Sequence, residues 1–193
     1  MTPEDMPDEL DEVVISESDL ERRLDELAAE VADAYAGSDV VFVGVLKGAV
    51  MLMADLARRI PYSVEMDWMA VSSYGSGSQS SGVVRILKDL DADVAGRDVL
   101  VVEDVLDTGL TLSWLTRNLA SRGANSVEVL TLLRKPEALR REVDVRFVGF
   151  DIANQFVVGY GLDYRQRYRN LRCVASLRPE VAAALRADVR PER

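Results

Sequence analysis

The sequence predicts a single α/β domain built on a central parallel sheet that is flanked by helices. Its 193 residues fit one domain with a substantial core, and 48% hydrophobic with 29% charged residues is typical of a globular chain. The stretches DVVFVGVL and DVLVV are continuously apolar, as strands covered on both faces are. Strand-like and helix-like segments alternate through the middle of the chain, which indicates right-handed parallel crossovers.

The N-terminal part combines an acidic tail, a short strand and an amphipathic helix. Residues 1–14 are rich in Asp and Glu, so we expect a frayed tail that leads into the strand. Ser18 and Glu21 have the spacing of a capping box and predict where the helix begins. Gly37 predicts where that helix ends.

The following segments alternate between apolar or period-two strands and amphipathic helices, and Pro61 and Gly123 end two of the helices. A Gly- and Ser-rich stretch, residues 72–82, separates two strands, where a long loop is more often a lid over a site than a linker. In order, we expect strand 39–46, helix 48–60, strand 62–71, strand 83–87, a strand from 98 to about 104, helix 112–123, strands 126–133, 145–150 and 173–177, and helix 179–187.

The charge and the residue types exclude several classes of function. A net charge of −10 and a pI near 4.6 oppose binding to nucleic acid or to an anionic membrane surface. The chain has no His, which excludes Ser-His-Asp and Cys-His mechanisms, and the single Cys173 excludes an intrachain disulfide and a cysteine-rich zinc site. No apolar stretch reaches the roughly 20 residues of a membrane span and the acidic start is unlike a signal peptide, so we expect a cytoplasmic protein.

The segment DVLVVEDVLDTGLTL combines a buried strand with a turn of the kind that binds phosphate. In a turn that opens a helix, here Asp107 to Thr111, backbone N–H groups, hydroxyls and the helix dipole hold the anion, and Gly109 permits close approach. Glu103 and Asp104 are then free to bind sugar hydroxyls or Mg²⁺, and Asp107 to face a base. A ribose 5-phosphate that carries a base satisfies all three groups. The alternative is an ordinary acidic loop with an aspartate at the helix N-cap.

Lysine is rare in this chain, which makes its positions informative. Among 23 basic residues, the only lysines are Lys47, Lys88 and Lys135. A retained lysine suggests a site that needs a compact charge rather than a planar guanidinium. For Lys88 we expect a role at an interface or toward pyrophosphate. Chance is the alternative for each of them.

The turn VVEDVLDTGLT closely resembles the phosphoribosyl-diphosphate (PRPP) binding signature of type I phosphoribosyltransferases, and most of all that of the hypoxanthine-guanine group. VGVLKGAVMLMADL, VEMDWMAVSSYGS, GVVRILKDLD, LLRKPE and FVGFDIANQFVVGYGLDYRQRYRNL resemble further segments of that family, in the same order. The resemblance covers about residues 13–178. It implies the Rossmann-like core of type I phosphoribosyltransferases over residues 15–178, with a small hood subdomain over about 150–178 and a C-terminal helical extension over 179–193.

The resemblance implies purine salvage, namely Mg²⁺-dependent transfer of the 5-phosphoribosyl group from PRPP to hypoxanthine, with guanine as a second base. The products would be IMP or GMP and pyrophosphate. Asp107 matches the residue that handles the N7 proton of the purine, and Glu103 and Asp104 match acids near the ribose hydroxyls and one Mg²⁺. The rest of the PRPP-binding loop would consist of Val105, Leu106, Thr108, Gly109, Leu110 and Thr111.

The base-binding residues implied by the resemblance follow two later strands. Lys135 matches the lysine that hydrogen-bonds the purine 6-oxo group, which favours oxopurines over adenine; a surface lysine is the alternative. Phe156 matches the hood residue that stacks on the base, with core packing as the alternative. The Val157 backbone would contact the edge of the base, and Asp163 would bind a second Mg²⁺ on the pyrophosphate side.

Residues toward the pyrophosphate come from three places in the chain. Lys47 and Gly48 match the family's pyrophosphate loop, in which the peptide bond before the lysine is cis. Arg169 matches a pyrophosphate-contacting arginine, with a solvated surface charge as the alternative. Ser73 and Tyr74 match the mobile loop that closes over PRPP and excludes water.

Several alternatives stay open at this point. Residues 152–155 have the sequence IANQ where many bacterial relatives have Ile-Pro, so the preference among hypoxanthine, guanine and xanthine is not fixed and a xanthine-preferring enzyme is one alternative. An RNA-binding regulator on the same fold is another, which the acidic charge opposes. A plain nucleotide-binding domain would explain neither Lys135 nor Asp163. Family members associate, so we expect a homo-oligomer, either a dimer or a tetramer, with PRPP and an oxopurine as its ligands.

Overall fold

The computed structural model describes residues 8–73 and 84–182, which form two sheets with helices packed on the larger one. A short 3-10 turn, Pro136–Ala138, follows the sixth strand. In chain order the elements are β1 (Leu10–Ile15), α1 (Glu17–Tyr35), β2 (Val40–Leu46), α2 (Val50–Arg59), β3 (Glu65–Ser73), β4 (Val84–Lys88), β5 (Asp98–Leu106), α3 (Leu110–Ser121), β6 (Ser126–Arg134), β7 (Phe147–Asp151), β8 (Val157–Val158) and β9 (Val174–Leu177).

The larger sheet has six strands in the order β4-β3-β2-β5-β6-β7. All adjacent pairs but one are parallel, which confirms the predicted α/β sheet. The exception is the edge strand β4, which runs antiparallel to β3, with Val71 opposite Ile86. The connection, residues 74–83, is shorter than the dozen or so residues that a parallel crossover requires, so β4 returns directly beside β3.

The central strands are apolar because both of their faces are covered. In β2, Val41 and Val43 face one apolar cluster, whereas Val40 and Phe42 face the other. Leucines of α1 and α2 pack into the cluster of Phe42, and leucines of α3 pack into the cluster of Val41. Burial of apolar surface from both sides drives this arrangement and leaves the strand ends for the loops.

The first helix begins two residues earlier than the sequence predicts. Ser16 is the N-cap, because its hydroxyl accepts a hydrogen bond from the Asp19 N–H at 3.1 Å and donates one to the Asp19 carboxylate at 2.6 Å. The predicted capping box of Ser18 and Glu21 is therefore wrong. An equivalent pair with the same spacing lies two residues upstream and provides the cap, while Glu21 pairs with Arg59 of α2.

The smaller sheet, in the order β1-β9-β8, forms the hood. Its outer strand comes from the N-terminal part of the chain, with Leu10 opposite Leu177 in an antiparallel pair. This strand starts inside the segment 1–14 in which we expected a tail. The reason is hydrophobic: Leu10 packs into a buried cluster with Val158 and Ala175.

The C-terminal helix that we expect over residues 179–187 starts as a helical turn at 179–182, and its remainder lies outside the described residues. Within residues 8–73 and 84–182, no helix is both long and apolar enough to cross a bilayer. The strand order reverses between β2 and β5, and sheets of this kind bind ligands beyond the carboxyl ends of the strands at that point. The loops after Leu46 and Leu106 are therefore the first place to examine.

Candidate active site

The turn after β5 connects that strand to the N-terminus of α3, as predicted. The strand is longer than expected and runs through Leu106, past the predicted end at Glu103 and Asp104, because β6 pairs with it as far as Arg134. A cleft of about 210 Å³ opens beside the turn. Its lining includes Glu103, Val105, Asp107, Thr108, Gly109 and Thr111.

Backbone contacts hold this turn in a form that suits anion binding. The Thr108 carbonyl accepts hydrogen bonds from the N–H groups of Arg140 at 3.0 Å and Arg141 at 3.1 Å. Gly109 has a φ of +76°, and a Cβ there would overlap the Arg141 carbonyl oxygen, so only glycine fits this position. The first N–H groups of a helix lack partners within the helix, so the start of α3 offers donors and the positive end of a dipole.

A salt bridge joins this turn to the loop after β6. Lys135 Nζ lies 3.3 Å from Asp107 Oδ2, and the Lys135 N–H donates to the Leu106 carbonyl at 3.0 Å. The Lys135 side chain is only 9% exposed, whereas the Asp107 side chain is 48% exposed. Lys135 is thus not a solvated surface lysine. It is a nearly buried cation held beside a more accessible carboxylate.

Glu103 and Asp104 lie near the carboxyl end of β5, where their carboxylates are largely shielded from water. Burial raises the pKa of Glu103 well above its usual range, and the charge of Asp104 raises it further. The buried Oε2 of Glu103 has no hydrogen-bond partner among the described residues. Burial raises the pKa of Asp104 to about 6, although the Val105 N–H, 2.8 Å from Oδ1, and Arg169 oppose this shift. A bound cation or a hydroxyl donor would compensate both acids.

The loop after β2 packs directly against Asp104. Its peptide bond between Leu46 and Lys47 is cis, as the resemblance implies. A Cβ at Gly48 would overlap the Asp104 carboxylate, and a Cβ at Gly161 would overlap the Gly48 carbonyl oxygen. The Lys47–Gly48 loop therefore lies between the end of β5 and the hood, with no room for a side chain on either glycine.

Lys47 of this loop and three polar residues of the hood form one connected cluster. Arg169 pairs with Asp163 at 2.5 Å and donates to the Gly161 carbonyl at 2.6 Å. Gln166 accepts a hydrogen bond from Lys47 Nζ at 3.1 Å, and its own N–H donates to Asp163 at 2.8 Å. Arg169 is thus a partnered side chain, 23% exposed, rather than a freely solvated charge.

Sequence reasoning missed Gln166. It lies in a segment whose backbone leaves the usual regions, with φ values of +51° at Arg165, +64° at Gln166 and +74° at Tyr168. Non-glycine residues adopt such values mainly where surrounding contacts enforce them. The residue types gave no signal of this, because an isolated glutamine in a polar stretch is usually solvated.

The hood places an exposed aromatic ring next to a buried strand. Phe156 is 41% exposed and meets Tyr164 edge to face, with the ring centroids 6.5 Å apart. Core packing therefore does not account for Phe156. Val157 follows in β8, is buried and pairs with Ser176 of β9, so its backbone has a fixed position next to that ring.

Three predicted residues remain: Ser73, Tyr74 and Lys88. Ser73 ends β3, and Tyr74 lies outside the described residues together with the rest of the expected lid. Lys88 donates to the Trp68 carbonyl and to Asp91, both at 3.1 Å, and lies 3.6 Å from Asp67. Its contacts thus hold the turn after β4, and none of them points to pyrophosphate.

The acids of the site suit a metal ion that is bound partly by the substrate and water, rather than one whose ligands all come from the protein. Among residues 8–73 and 84–182, no three carboxylate, His or Cys side chains converge on one point. Mg²⁺ is usually held by one or two carboxylates together with phosphate oxygens and water. The site offers carboxylates that could bind Mg²⁺ in this way. One is Glu103, whose Oε2 has no hydrogen-bond partner among the described residues and which lies beside Asp104. Another is Asp163, which lies next to Arg169.

A comparison with known families decides to which one this arrangement belongs. The phosphoribosyl transferase domain family matches residues 16–165, most of the chain. The chain belongs to the phosphoribosyltransferase family. It is 52% identical over 186 residues to the hypoxanthine-guanine phosphoribosyltransferase of Mycobacterium tuberculosis strain H37Rv, a match that covers 93% of this chain and 92% of that protein.

Two further phosphoribosyltransferases extend the comparison to other bacteria and to a solved structure. The hypoxanthine-guanine phosphoribosyltransferase of Bacillus subtilis is 47% identical, over 91% of this chain and 98% of that protein. A crystal structure of a hypoxanthine phosphoribosyltransferase from Staphylococcus aureus superposes with a TM-score of 0.87 at 46% identity, over 90% of this chain and 94% of that one. Similarity of this extent covers both the core sheet and the hood.

Proposed function

We propose that this phosphoribosyltransferase salvages purines by moving the 5-phosphoribosyl group of PRPP onto hypoxanthine and guanine, with release of pyrophosphate. The observation that carries the proposal is the pairing of Asp107 with the nearly buried Lys135, directly beside the helix N-terminus that suits a phosphate. The proposed base-binding pair thus adjoins the proposed phosphate-binding turn through Asp107, which lines the cleft. The family to which the chain belongs supports the same reaction.

The base would meet four groups. Lys135 donates to the 6-oxo oxygen, which selects oxopurines, because the 6-amino group of adenine offers no acceptor to a cation. Asp107 accepts the N7 proton as a purine nitrogen attacks the anomeric carbon. Phe156 stacks on the ring and the Val157 backbone contacts its edge.

The sugar phosphate would lie along the end of β5 and the start of α3. Backbone N–H groups and hydroxyls from Thr108 to Thr111 bind the 5-phosphate, and Gly109 admits it. Val105 and Leu106 line the same cleft. Glu103 and Asp104 bind the ribose hydroxyls and would hold one Mg²⁺, and Asp163 would hold a second; the metal, when bound, neutralises charge on the departing pyrophosphate.

The pyrophosphate would be bound from two sides. Lys47 and the Gly48 backbone approach it from the end of β2, and Arg169 approaches it from the hood. Ser73 and Tyr74 belong to the proposed lid, which excludes water from an oxocarbenium-like transition state that water would otherwise trap.

A product assay tests this proposal. Purified protein is incubated with PRPP, Mg²⁺ and each of hypoxanthine, guanine, xanthine and adenine, and nucleotides are separated by chromatography. We expect IMP and GMP and no AMP. Preferential formation of xanthosine monophosphate would favour the xanthine enzyme. Absence of any nucleotide, together with a gel shift of RNA, would favour the regulator.

We also propose that the protein acts in the cytoplasm as a homo-oligomer, a dimer or a tetramer. Large apolar side chains at the surface support association, since Met66 of β3 is 47% exposed and Leu87 of β4 is 61% exposed. Light scattering coupled to size-exclusion chromatography measures the mass directly. A monomer at micromolar concentration would contradict this part of the proposal.

A further inference from the structure

We propose that Tyr160 is a positioning residue for the pyrophosphate side of the site, acting through its hydrogen bond to Asp55. This inference rests on the proposed function. It assigns a task to a tyrosine of the hood and an aspartate of α2 that belong neither to the base-binding nor to the PRPP-binding residues named above.

The hydrogen bond joins two parts of the chain that are far apart in sequence. The Tyr160 hydroxyl donates to Asp55 Oδ2 at 2.6 Å. The Tyr160 residue is 7% exposed and the Asp55 side chain 19% exposed, so water competes little for this contact. Burial first, and then the Asp55 carboxylate, raises the pKa of Tyr160 above its usual range, so the phenol stays a neutral donor.

The two partners are attached to opposite walls of the pyrophosphate site. Asp55 lies on α2, the helix that starts directly after the Lys47–Gly48 loop. Tyr160 is followed by Gly161, whose carbonyl accepts from Arg169 and where a Cβ would overlap the Gly48 carbonyl oxygen. The hydrogen bond therefore ties α2, the helix that follows the Lys47–Gly48 loop, to the turn of the hood that contains Gly161.

The backbone at Tyr160 shows that this position is enforced by its surroundings. Its φ is +48°, in the left-handed region that a bulky side chain avoids. The flanking Gly159 and Gly161 also have positive φ values, +99° and +100°. Three successive residues with positive φ keep a single backbone conformation only when contacts with the rest of the protein hold them. The hydrogen bond of the Tyr160 hydroxyl is one such contact.

The base-binding residues do not depend on this contact. Val157 is held by its strand pairing with β9, and Lys135 by the loop after β6. Loss of the Tyr160 hydroxyl should thus make the position of the Lys47–Gly48 loop relative to Arg169 less well defined. The positions of Val157 and Lys135 should not change. The expected signature is a change in the KM for PRPP and for pyrophosphate without a matching change in the KM for hypoxanthine.

The experiment compares Tyr160→Phe with Tyr62→Phe. Tyr62 is a matched control, because it also is a partly buried tyrosine whose hydroxyl bridges two elements, donating to the Ala32 carbonyl at 3.1 Å. We expect Tyr160→Phe to raise the KM for PRPP and pyrophosphate about fivefold or more, as loss of one buried hydrogen bond does. The KM for hypoxanthine should stay within about twofold. Tyr62→Phe should change none of the three.

Two variants of Asp55 keep the inference falsifiable if Tyr160→Phe folds poorly. Asp55→Asn retains an oxygen acceptor for the phenol and should keep the KM for PRPP near that of the wild type. Asp55→Ala should reproduce the effect of Tyr160→Phe. Equal KM values in Asp55→Asn and Asp55→Ala, or in Tyr160→Phe and Tyr62→Phe, would overturn the inference. So would an equal rise for hypoxanthine and PRPP.

If the proposed phosphoribosyl transfer itself were wrong, the kinetic result would differ from a failure of the Tyr160 inference. In that case the wild type itself forms no nucleotide from PRPP and any oxopurine. The positioning role is then tested by titration calorimetry with PRPP and Mg²⁺, comparing the wild type with the same four variants. Weaker PRPP binding only in Tyr160→Phe and Asp55→Ala would support the role, and equal affinities throughout would overturn it.

Discussion

Lys135 Nζ lies 3.3 Å from Asp107 Oδ2, and this salt bridge connects the turns after two adjacent parallel strands. The cation is nearly buried and the carboxylate is half exposed, so the pair is anchored on the lysine side. A purine that enters the cleft would meet both groups at once. The pair thus provides separate tests for proton handling and for base binding.

Replacement of Asp107 tests the proton-handling role. We expect Asp107→Asn to lower kcat by about 100-fold or more, because a positioned general base contributes on that scale. The Kd for PRPP should change little, because the contacts that we propose for its phosphate come from backbone groups. Steady-state kinetics and titration calorimetry measure the two quantities, with Asp33→Asn on the exposed surface of α1 as control. Wild-type turnover in Asp107→Asn would remove this residue from the mechanism.

Replacement of the two lysines separates the two halves of the site. Lys135→Ala should weaken binding of hypoxanthine about tenfold or more, as loss of a charged hydrogen bond does, and affect PRPP less. Lys47→Ala should show the opposite pattern, because Lys47 contacts Gln166 in the cluster with Asp163 and Arg169 that we assign to pyrophosphate. Titration calorimetry with each ligand measures both. If Lys135→Ala mainly weakened PRPP binding and Lys47→Ala mainly weakened hypoxanthine binding, the loops that we assign to the base and to pyrophosphate would have to be exchanged.

Gly48 provides a test of the packing between the loop after β2 and the end of β5. A Cβ there would overlap the Asp104 carboxylate, so Gly48→Ala should displace that acid and weaken PRPP binding several-fold. Gly96→Ala is the control: it has a φ of +74° with nothing near its Cβ, so it should cost about 1 kcal/mol of stability and leave PRPP affinity unchanged. Equal PRPP affinity in the wild type and Gly48→Ala would contradict this packing argument.

The lowered pKa of Asp67 leads us to expect that the free energy of unfolding depends on pH. Burial alone would raise its pKa, but the N–H groups of Ala92, Trp68 and Asp91 and the Lys88 ammonium outweigh that effect, so its pKa is lowered. A lowered folded-state pKa stabilises the fold above the unfolded value near about pH 4, and this contribution is lost as pH falls further. Asp67→Asn should therefore lower the free energy of unfolding by about 2 kcal/mol at neutral pH.

Urea denaturation at several pH values measures this difference. The gap between the wild type and Asp67→Asn should narrow below about pH 4, when the wild-type carboxyl becomes protonated. Asp33→Asn should stay within about 0.5 kcal/mol of the wild type throughout. A gap that is constant down to acid pH would show that the Asp67 carboxylate charge is not what stabilises the turn after β4.

The parts of the fold that follow from local patterns were predictable from sequence. Continuous apolar runs predicted the buried strands β2 and β5, and the turn from Asp107 to Thr111 predicted the start of a helix. Local patterns did not fix the start of α1, because two serines could each serve as its N-cap. Ser16 and Ser18 both offer a hydroxyl with an acid three residues on, and packing of α1 decides between them.

Long-range partners were not predictable in this way. The pairing of β1 with β9 joins the two ends of the chain, and the hydrogen bond from Tyr160 to Asp55 spans 105 residues. Neither partner carries a sequence signal of the other, since a tyrosine or an amphipathic strand finds many equivalent partners. Gln166 was missed for the same reason, because its contact with Lys47 exists only once the hood has folded over the sheet.

We propose above all that backbone N–H groups at the start of α3 bind the sugar phosphate, which frees the neighbouring acids for the ribose, the metal and the base. A crystal structure of the protein with IMP, Mg²⁺ and pyrophosphate would show this directly. We expect the IMP phosphate within hydrogen-bond distance of the N–H groups from Thr108 to Thr111, with N7 beside Asp107. A phosphate bound elsewhere, on arginine side chains away from that turn, would contradict it.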